Sequence, residues 1–208
     1  MIQSTLSTHT APLYSRDAAA LALRYAALYP VVAINGPRQS GKTTLARATF
    51  PGHVYVSLEN LDTQKYFQDD PRLFINQYRG GAIFDEVQHA PELLSYLQEV
   101  VDESEETGRF IITGSQDFAI SQTVTQSLAG RVGQIVLLPL SRHELAAPLT
   151  IAQLIVSGGY PRLHKKEMLP HEFYPLYVKT YIERDVRQIK NIESLALFKT
   201  FLSLCAGR

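Results

Sequence analysis

The 208-residue chain has a single cysteine, Cys205, and no tryptophan. One thiol excludes an internal disulfide and fits a reducing compartment. Neither sign of charge is in excess, since Lys+Arg and Asp+Glu each total 20. Nothing in that balance points to a globally basic nucleic-acid binder or a membrane-surface protein, although a local basic groove remains compatible with it. No apolar run approaches the length of a bilayer span, and the start "MIQSTLSTHTAPLYSRD" lacks the basic and then apolar pattern of a secretory signal. The six histidines are scattered without metal-ligand spacing, so no zinc or iron site is expected. Repeats and low-complexity linkers are absent as well. The expectation is a soluble cytoplasmic chain with no membrane partner.

What is present is core-forming material. Hydrophobic residues make up 45% and charged ones 19%, enough for one generous domain or one domain with a small appendage. Short apolar runs at 31–35 (VVAIN), 54–58 (VYVSL), 82–86 (AIFDE), 110–115 (FIITGS) and 134–140 (QIVLLPL) read as five strands. Helix-forming stretches lie around them. "SRDAAALALRYAAL" has Ser15 as its expected N-cap, "KTTLARATF" follows a glycine loop, two segments flank Pro71, and "PELLSYLQEVVDES" begins with proline. Buried strands alternating with helices predict a parallel five-stranded α/β sheet covered on both faces.

Past residue 140 the pattern turns helical. Ser141 and Glu144 have capping-box spacing, residues 158–161 (GGYP) form a turn, a long helix candidate contains Pro175, and a last one starts at Ser194. Residues 1–12 are expected to be flexible and 13–140 to form the core. Residues 141–208 are expected to form a helical lid and the start of a C-terminal region, read as truncated because the chain stops on an apolar helical face.

The stretch "AINGPRQSGKTTLA" carries the first chemistry. Gly36 to Thr43 fits G-x-x-x-x-G-K-[ST] at every fixed position, against a chance match on the order of 1% for this length and composition. Glycines let the backbone curl so that successive N–H groups face phosphate oxygens. Lys42 would reach the β- and γ-phosphates, the Thr43 hydroxyl would hold Mg²⁺, and the following helix would offer its positive end to the anion. The nucleotide-binding set is then Gly36, Pro37, Arg38, Gln39, Ser40, Gly41, Lys42, Thr43 and Thr44, with ATP and Mg²⁺ as the ligands.

"GGAIFDEVQHAP" supplies the acids. Asp85 ends an apolar strand, where a carboxylate can hold the Mg²⁺ shell, and Glu86 beside it can polarise a water as general base. Nucleotide kinases and GTP switches generally lack that neighbouring glutamate, and no guanine-reading N-K-x-D run is present. Hydrolysis of ATP is therefore favoured over phosphoryl transfer to a small molecule. Thr113, Ser115 and Gln116 follow as residues that could orient the water, with Ser115 preferred. Arg131, in "SLAGRV", is a candidate to stabilise transition-state charge in its own subunit or a neighbour's, or else a surface arginine.

Lesser features have plainer readings. Phe173, Tyr174, Tyr177 and Tyr181 fit packing better than base stacking. Arg184, Arg187 and Lys190 are interleaved with Glu183 and Asp185, as on a solvated face. Arg162 is a weak candidate for a nucleotide contact from the lid. Tyr14 and Arg16 are candidates to flank the adenine.

Taken in order, "INGPRQSGKTTLA", "AIFDEVQHAPELLSYLQ", "FIITGSQDF", "SLAGRV", "LLPLSRHEL", "GGYPR" and "YIERDVRQI" resemble prokaryotic AAA-type ATP-binding proteins, in which an ATPase domain precedes an uncharacterised C-terminal domain. The resemblance implies an AAA-like P-loop NTPase of the additional-strand class, with the strand after Asp85 inserted beside the phosphate-loop strand, and a small helical lid. It assigns Lys42 and Thr43 to nucleotide and Mg²⁺, and Asp85 and Glu86 to Mg²⁺ and water activation. It also implies a homo-oligomer, or a protein or nucleic-acid partner met through a further C-terminal region. An ATP-gated switch with little turnover and a nucleic-acid-associated ATPase are the alternatives to an ATP hydrolase.

Overall fold

A computed structural model describes residues 14–115, 127–145, 148–166, 168–182 and 194–206. The strands are β1 (Val31–Gly36), β2 (Val54–Ser57), β3 (Ala82–Asp85), β4 (Phe110–Ser115) and β5 (Val132–Val136). All pair in parallel in the order β2-β3-β4-β1-β5. The sheet is the five-stranded parallel one expected, and β4 separates the strand of Asp85 from the strand of the glycine loop. The last strand starts two residues earlier than its apolar run suggests.

Period-two alternation sends the strand side chains to two apolar layers. On one face Val32, Ile34, Ile83, Ile111 and Ile135 pack with Leu45 and Ala46 of α2 (Lys42–Thr49) and Ala22 of α1 (Ala18–Ala26). On the other face Ala33, Phe84, Phe110 and Ile112 pack with Phe67 of α3 (Leu61–Asp69), Phe74 of α4 (Pro71–Asn76) and Leu93, Leu94 and Leu97 of α5 (Leu93–Asp102). Phe74, Phe84 and Phe110 are fully buried, at roughly 1.5–3 kcal/mol of burial each. These central strands are the rigid part on which the loops at their ends are carried.

Local chemistry sets the helix starts. The Asn60 carboxamide oxygen caps α3 by accepting from Asp62 and Thr63 N–H, and the Asp70 carboxylate caps α4, which has Pro71 in its first turn. The helix α1 departs from expectation, because Asp17 rather than Ser15 is its N-cap and makes no side-chain cap bond. A distant carboxylate does that work: Glu144 Oε1 accepts the Asp17 N–H at 2.9 Å.

The described chain forms two compact units. The first runs to Leu149 and includes Gly159–Pro161, so it extends beyond residue 140. Two contacts account for the extension. Glu144 is tied to Arg16 by a largely buried ion pair at 3.0 Å, and the Leu140 N–H donates to the Gly159 carbonyl at 2.7 Å. The Ser141–Glu144 bonds of a capping box form, at 2.8 and 3.2 Å, but around a turn instead of a helix.

The second unit, residues 150–158 and 162–208, is helical where described. The helix α6 (Ile151–Ser157) has a capping box between Thr150 and Gln153, and α7 (Pro161–Lys165) follows the glycine turn. The helix α8 (Pro170–Tyr177) contains Pro175 and continues into a π-helical turn, Val178–Ile182. Phe173 and Tyr177 are buried, their rings stacked 5.7 Å apart, and the Tyr174 hydroxyl donates to the Ser157 carbonyl at 2.8 Å. These aromatics pack inside the unit. The last helix, α9 (Leu195–Ala206), is capped by Ser194, whose hydroxyl accepts from the Leu197 N–H at 3.3 Å. Residues 1–13, Gln116, Glu183, Arg184, Asp185, Arg187 and Lys190 lie outside the described residues. Among the described residues no helix is long and apolar enough to cross a membrane.

Candidate functional site

Parallel strands bring all their carboxyl ends to one edge of the sheet, and the loops leaving that edge hold the chemistry. β1 ends at Gly36, with φ +152°, where an added Cβ would lie 2.2 Å from the Leu137 carbonyl oxygen. Only glycine lets β1 turn that close to the exit of β5. The loop then passes through Gln39 at φ 62° to Gly41 at φ 98°, the N-cap of α2. Two left-handed residues curl the backbone back over the N-terminus of α2, as a phosphate-binding loop requires.

Lys42 is 4% exposed, and its ammonium donates to the Gly36 and Pro37 carbonyls at 3.0 and 3.1 Å. The cation is thus held over its own loop. Ser40 Oγ is buried and has no hydrogen-bond partner among the described residues. Such a hydroxyl is costly unless something else engages it, which fits a loop built around a polar ligand.

Thr43, one residue into α2, donates to Asp85 at the end of β3, at 2.8 Å to Oδ1 and 3.1 Å to Oδ2. Thr113 of β4 donates to Asp85 Oδ1 and accepts the Glu86 N–H at 3.2 Å. The Tyr55 hydroxyl of β2 donates to Asp85 Oδ2 at 2.8 Å. The Asp85 carboxylate is 5% exposed and receives hydroxyl donors from a helix and two neighbouring strands. A hydroxyl and a carboxylate already in contact are hard oxygen donors of the kind Mg²⁺ takes, so the residues fit that ion.

Glu86 has φ 60° and ψ 54°. That left-handed residue, uncommon without glycine, turns the chain out of the strand and into a 3₁₀ turn. The Glu86 carboxylate accepts from the Gln88 amide. Ser115 ends β4 opposite Gly36 in register, beside the loop. Thr113, two residues earlier, is the β4 side chain that bonds the acids.

Arg131 requires a correction. Its carbonyl accepts from the Val31 N–H at 3.2 Å, at the start of β1, and its guanidinium pairs with Asp102, with Nη2 to Oδ2 at 2.9 Å. Five residues of strand, roughly 16 Å, separate that edge from Gly36. Arg131 therefore cannot serve the phosphate loop of its own subunit. Arg162 belongs to the second unit.

Arg16, a candidate to flank the adenine, has its guanidinium engaged by protein oxygens. Its side chain is 8% exposed. It donates to the Ser40 carbonyl at 2.7 Å, the Leu138 carbonyl at 2.6 Å and Glu144 Oε1 at 3.0 Å. The guanidinium ties the back of the phosphate loop to the exit of β5. Burial acts to raise Glu144, but N–H donors from Ser141 and Asp17 and the Arg16 guanidinium outweigh it and hold the carboxyl below its ordinary value of 4.5. A depressed carboxyl contributes stability that is present above its unfolded-state value and is lost as pH falls through the folded one. Glu144→Gln is therefore expected to lose stability most at neutral pH, with the gap to the parent closing below about pH 4.5. Denaturant unfolding of both chains at pH 7 and pH 4 checks this, and a gap of equal size at both would refute it.

Sequence reasoning missed Tyr55 and Gln88. Burial first, and the adjacent Asp85 charge second, push the Tyr55 hydroxyl up to about 12, so it stays protonated as a donor. Alternation along β2 puts Tyr55 on the face of Ser57, but only the register that sets Ser57 opposite Asp85 brings it to the acid.

Loop, buried lysine, Thr43–Asp85 contact and strand order together describe a P-loop domain, and the match to known sequences agrees. The AAA domain family matches residues 28–146, more than half of the chain. The chain belongs to the AAA domain family. Residues 149–208 match a domain of unknown function, so an AAA domain here precedes an uncharacterised one. Uncharacterized proteins of Mycobacterium bovis and Mycobacterium tuberculosis are 31% identical over 179 residues, which is 84% of this chain and 40% of each relative. The chain thus spans about two fifths of the length of these curated relatives. Among solved structures, the Walker-type ATPase PABY2304 of Pyrococcus abyssi has a TM-score of 0.52 at 15% identity, over 93% of this chain and 75% of that one. AMPPCP-bound DnaA from Aquifex aeolicus has a TM-score of 0.51 at 15% identity, over 84% of this chain and 67% of that one. At such identities the likeness establishes the AAA-type P-loop fold alone.

Proposed function

We propose that this AAA domain binds ATP with Mg²⁺ and hydrolyses it. The observation that carries the reading is the 2.8 Å contact between Thr43 and Asp85, which brings the first residue after the loop lysine to the acid at the end of β3. The loop N–H groups and the start of α2 would receive the phosphates. Lys42 would exchange its two loop carbonyls for phosphate oxygens. Thr43 and Asp85 would hold Mg²⁺, whose charge offsets that of the β- and γ-phosphates. Glu86 would accept the proton of the attacking water, with Thr113 fixing its backbone and Ser115 the candidate to orient that water.

One observation favours a second reading, an ATP-held switch with slow turnover: the Glu86 carboxylate is already engaged by Gln88. A single experiment separates the two. ATP turnover with Mg²⁺ would be measured beside binding of a fluorescent ATP analogue, using the 208-residue chain. Binding with turnover supports hydrolysis, and binding without it supports the switch. Absence of binding removes both.

A further inference from the structure

We propose that Tyr55 is a positioning residue for the Asp85 carboxylate, and that its hydroxyl sets how tightly Mg²⁺ is coupled to nucleotide binding. The inference rests on the proposed assignment of Asp85 to the metal.

The placement begins with strand register. β2 and β3 run in parallel with Ser57 opposite Asp85 and Tyr55 opposite Ile83. Tyr55 and Asp85 therefore share a face but are offset by one strand period. A serine or threonine at position 55 could not cross that offset. A phenol can, and its hydroxyl meets Oδ2 at 2.8 Å.

The ring is also held from above. The Arg47 guanidinium lies 4.7 Å from the Tyr55 ring centroid, a cation–π distance. Arg47 is four residues after Thr43 on α2, so both project from one helix face. Thr43 grips the carboxylate while Arg47 grips the tyrosine that grips the same carboxylate. Helix, β2 and β3 thus close a ring of contacts around Asp85.

The tyrosine holds the carboxylate independently of the threonine that would also serve the metal. In the described structure Asp85 Oδ2 accepts from Tyr55 at 2.8 Å and from Thr43 at 3.1 Å. Thr43 would give Mg²⁺ an oxygen lone pair while its O–H stays able to donate to the carboxylate. Tyr55 is the donor on Oδ2 that takes no part in holding the cation, and Thr113 is its counterpart on Oδ1. A carboxylate fixed at both oxygens is pre-oriented as a ligand, and loss of such outer-shell donors commonly costs 10- to 100-fold in metal affinity.

The test uses Tyr55→Phe, which keeps the ring and the Arg47 contact and deletes only the hydroxyl. Binding of a fluorescent ATP analogue would be titrated with Mg²⁺ for both chains, from an EDTA baseline, with melting curves alongside. The variant should match the parent in EDTA and need about 10-fold more Mg²⁺ for the half-maximal gain in affinity. An unchanged Mg²⁺ midpoint would overturn the inference while leaving ATP binding with Mg²⁺ intact. An equal loss of affinity in EDTA and in Mg²⁺ would mark a merely structural role and overturn it too. A parent whose binding gains nothing from Mg²⁺ would remove the metal assignment of Asp85, and the role of Tyr55 with it.

Discussion

Glu86→Gln is expected to slow ATP turnover by about 10²- to 10⁴-fold, the usual contribution of a positioned general base, while ATP binding persists. The amide keeps the shape of the side chain but cannot take a proton from water. Its backbone site would be retained, because the Glu86 N–H donates to Thr113 whatever the side chain is. The left-handed φ of 60° at this residue also makes Gln a gentler replacement than a branched side chain. Steady-state phosphate release for both chains, paired with analogue binding, reads the effect. Retained turnover would remove Glu86 from the chemistry and return attention to Ser115 and Thr113.

How much of this site was legible in the sequence depends on whether a contact is local. The loop from Gly36 to Thr43 was legible because its chemistry is consecutive: the same few residues turn the backbone, present N–H groups and start α2. Asp85 and Glu86 were legible because an apolar strand that stops at an acid places it at the carboxyl edge. For Arg131 a simple rule removes the same-subunit role and leaves the neighbouring-subunit and surface readings standing. Arg131 precedes β5, and in a parallel sheet the residue before a strand lies at the edge opposite the residue after one.

Contacts that need register or long separation were not legible. Tyr55 meets Asp85 only because β2 and β3 align Ser57 with Asp85, and no pattern within "VYVSL" fixes that alignment. Arg16 meets Glu144 across 128 residues. The same contact explains two fold-level differences: the uncapped start of α1 and the extension of the first unit beyond 140. A carboxylate recruited from far away replaced the local cap that Ser15 was expected to supply.

Lys42→Met should weaken ATP binding by about 100-fold or more, taking roughly 3 kcal/mol for the loss of a buried, hydrogen-bonded charge from its anionic partner. The reasoning starts from where the ammonium sits. It is almost wholly buried and bridges the Gly36 and Pro37 carbonyls, so it is held at the mouth of the curl that would receive the phosphates. Few rotamers are left to lose on binding, and the charge would meet phosphate in a low-dielectric setting where it counts for most. Methionine fills most of the apolar stem volume but supplies neither charge nor donor. The backbone N–H groups and the α2 terminus would remain, so residual weak binding is expected instead of none. Analogue titrations of parent and variant in Mg²⁺, with a melting curve to show that the sheet still unfolds cooperatively, make the comparison. Near-parental affinity in a folded Lys42→Met chain would mean that the loop does not hold phosphates through this lysine, and the proposed ATP site would have to be abandoned.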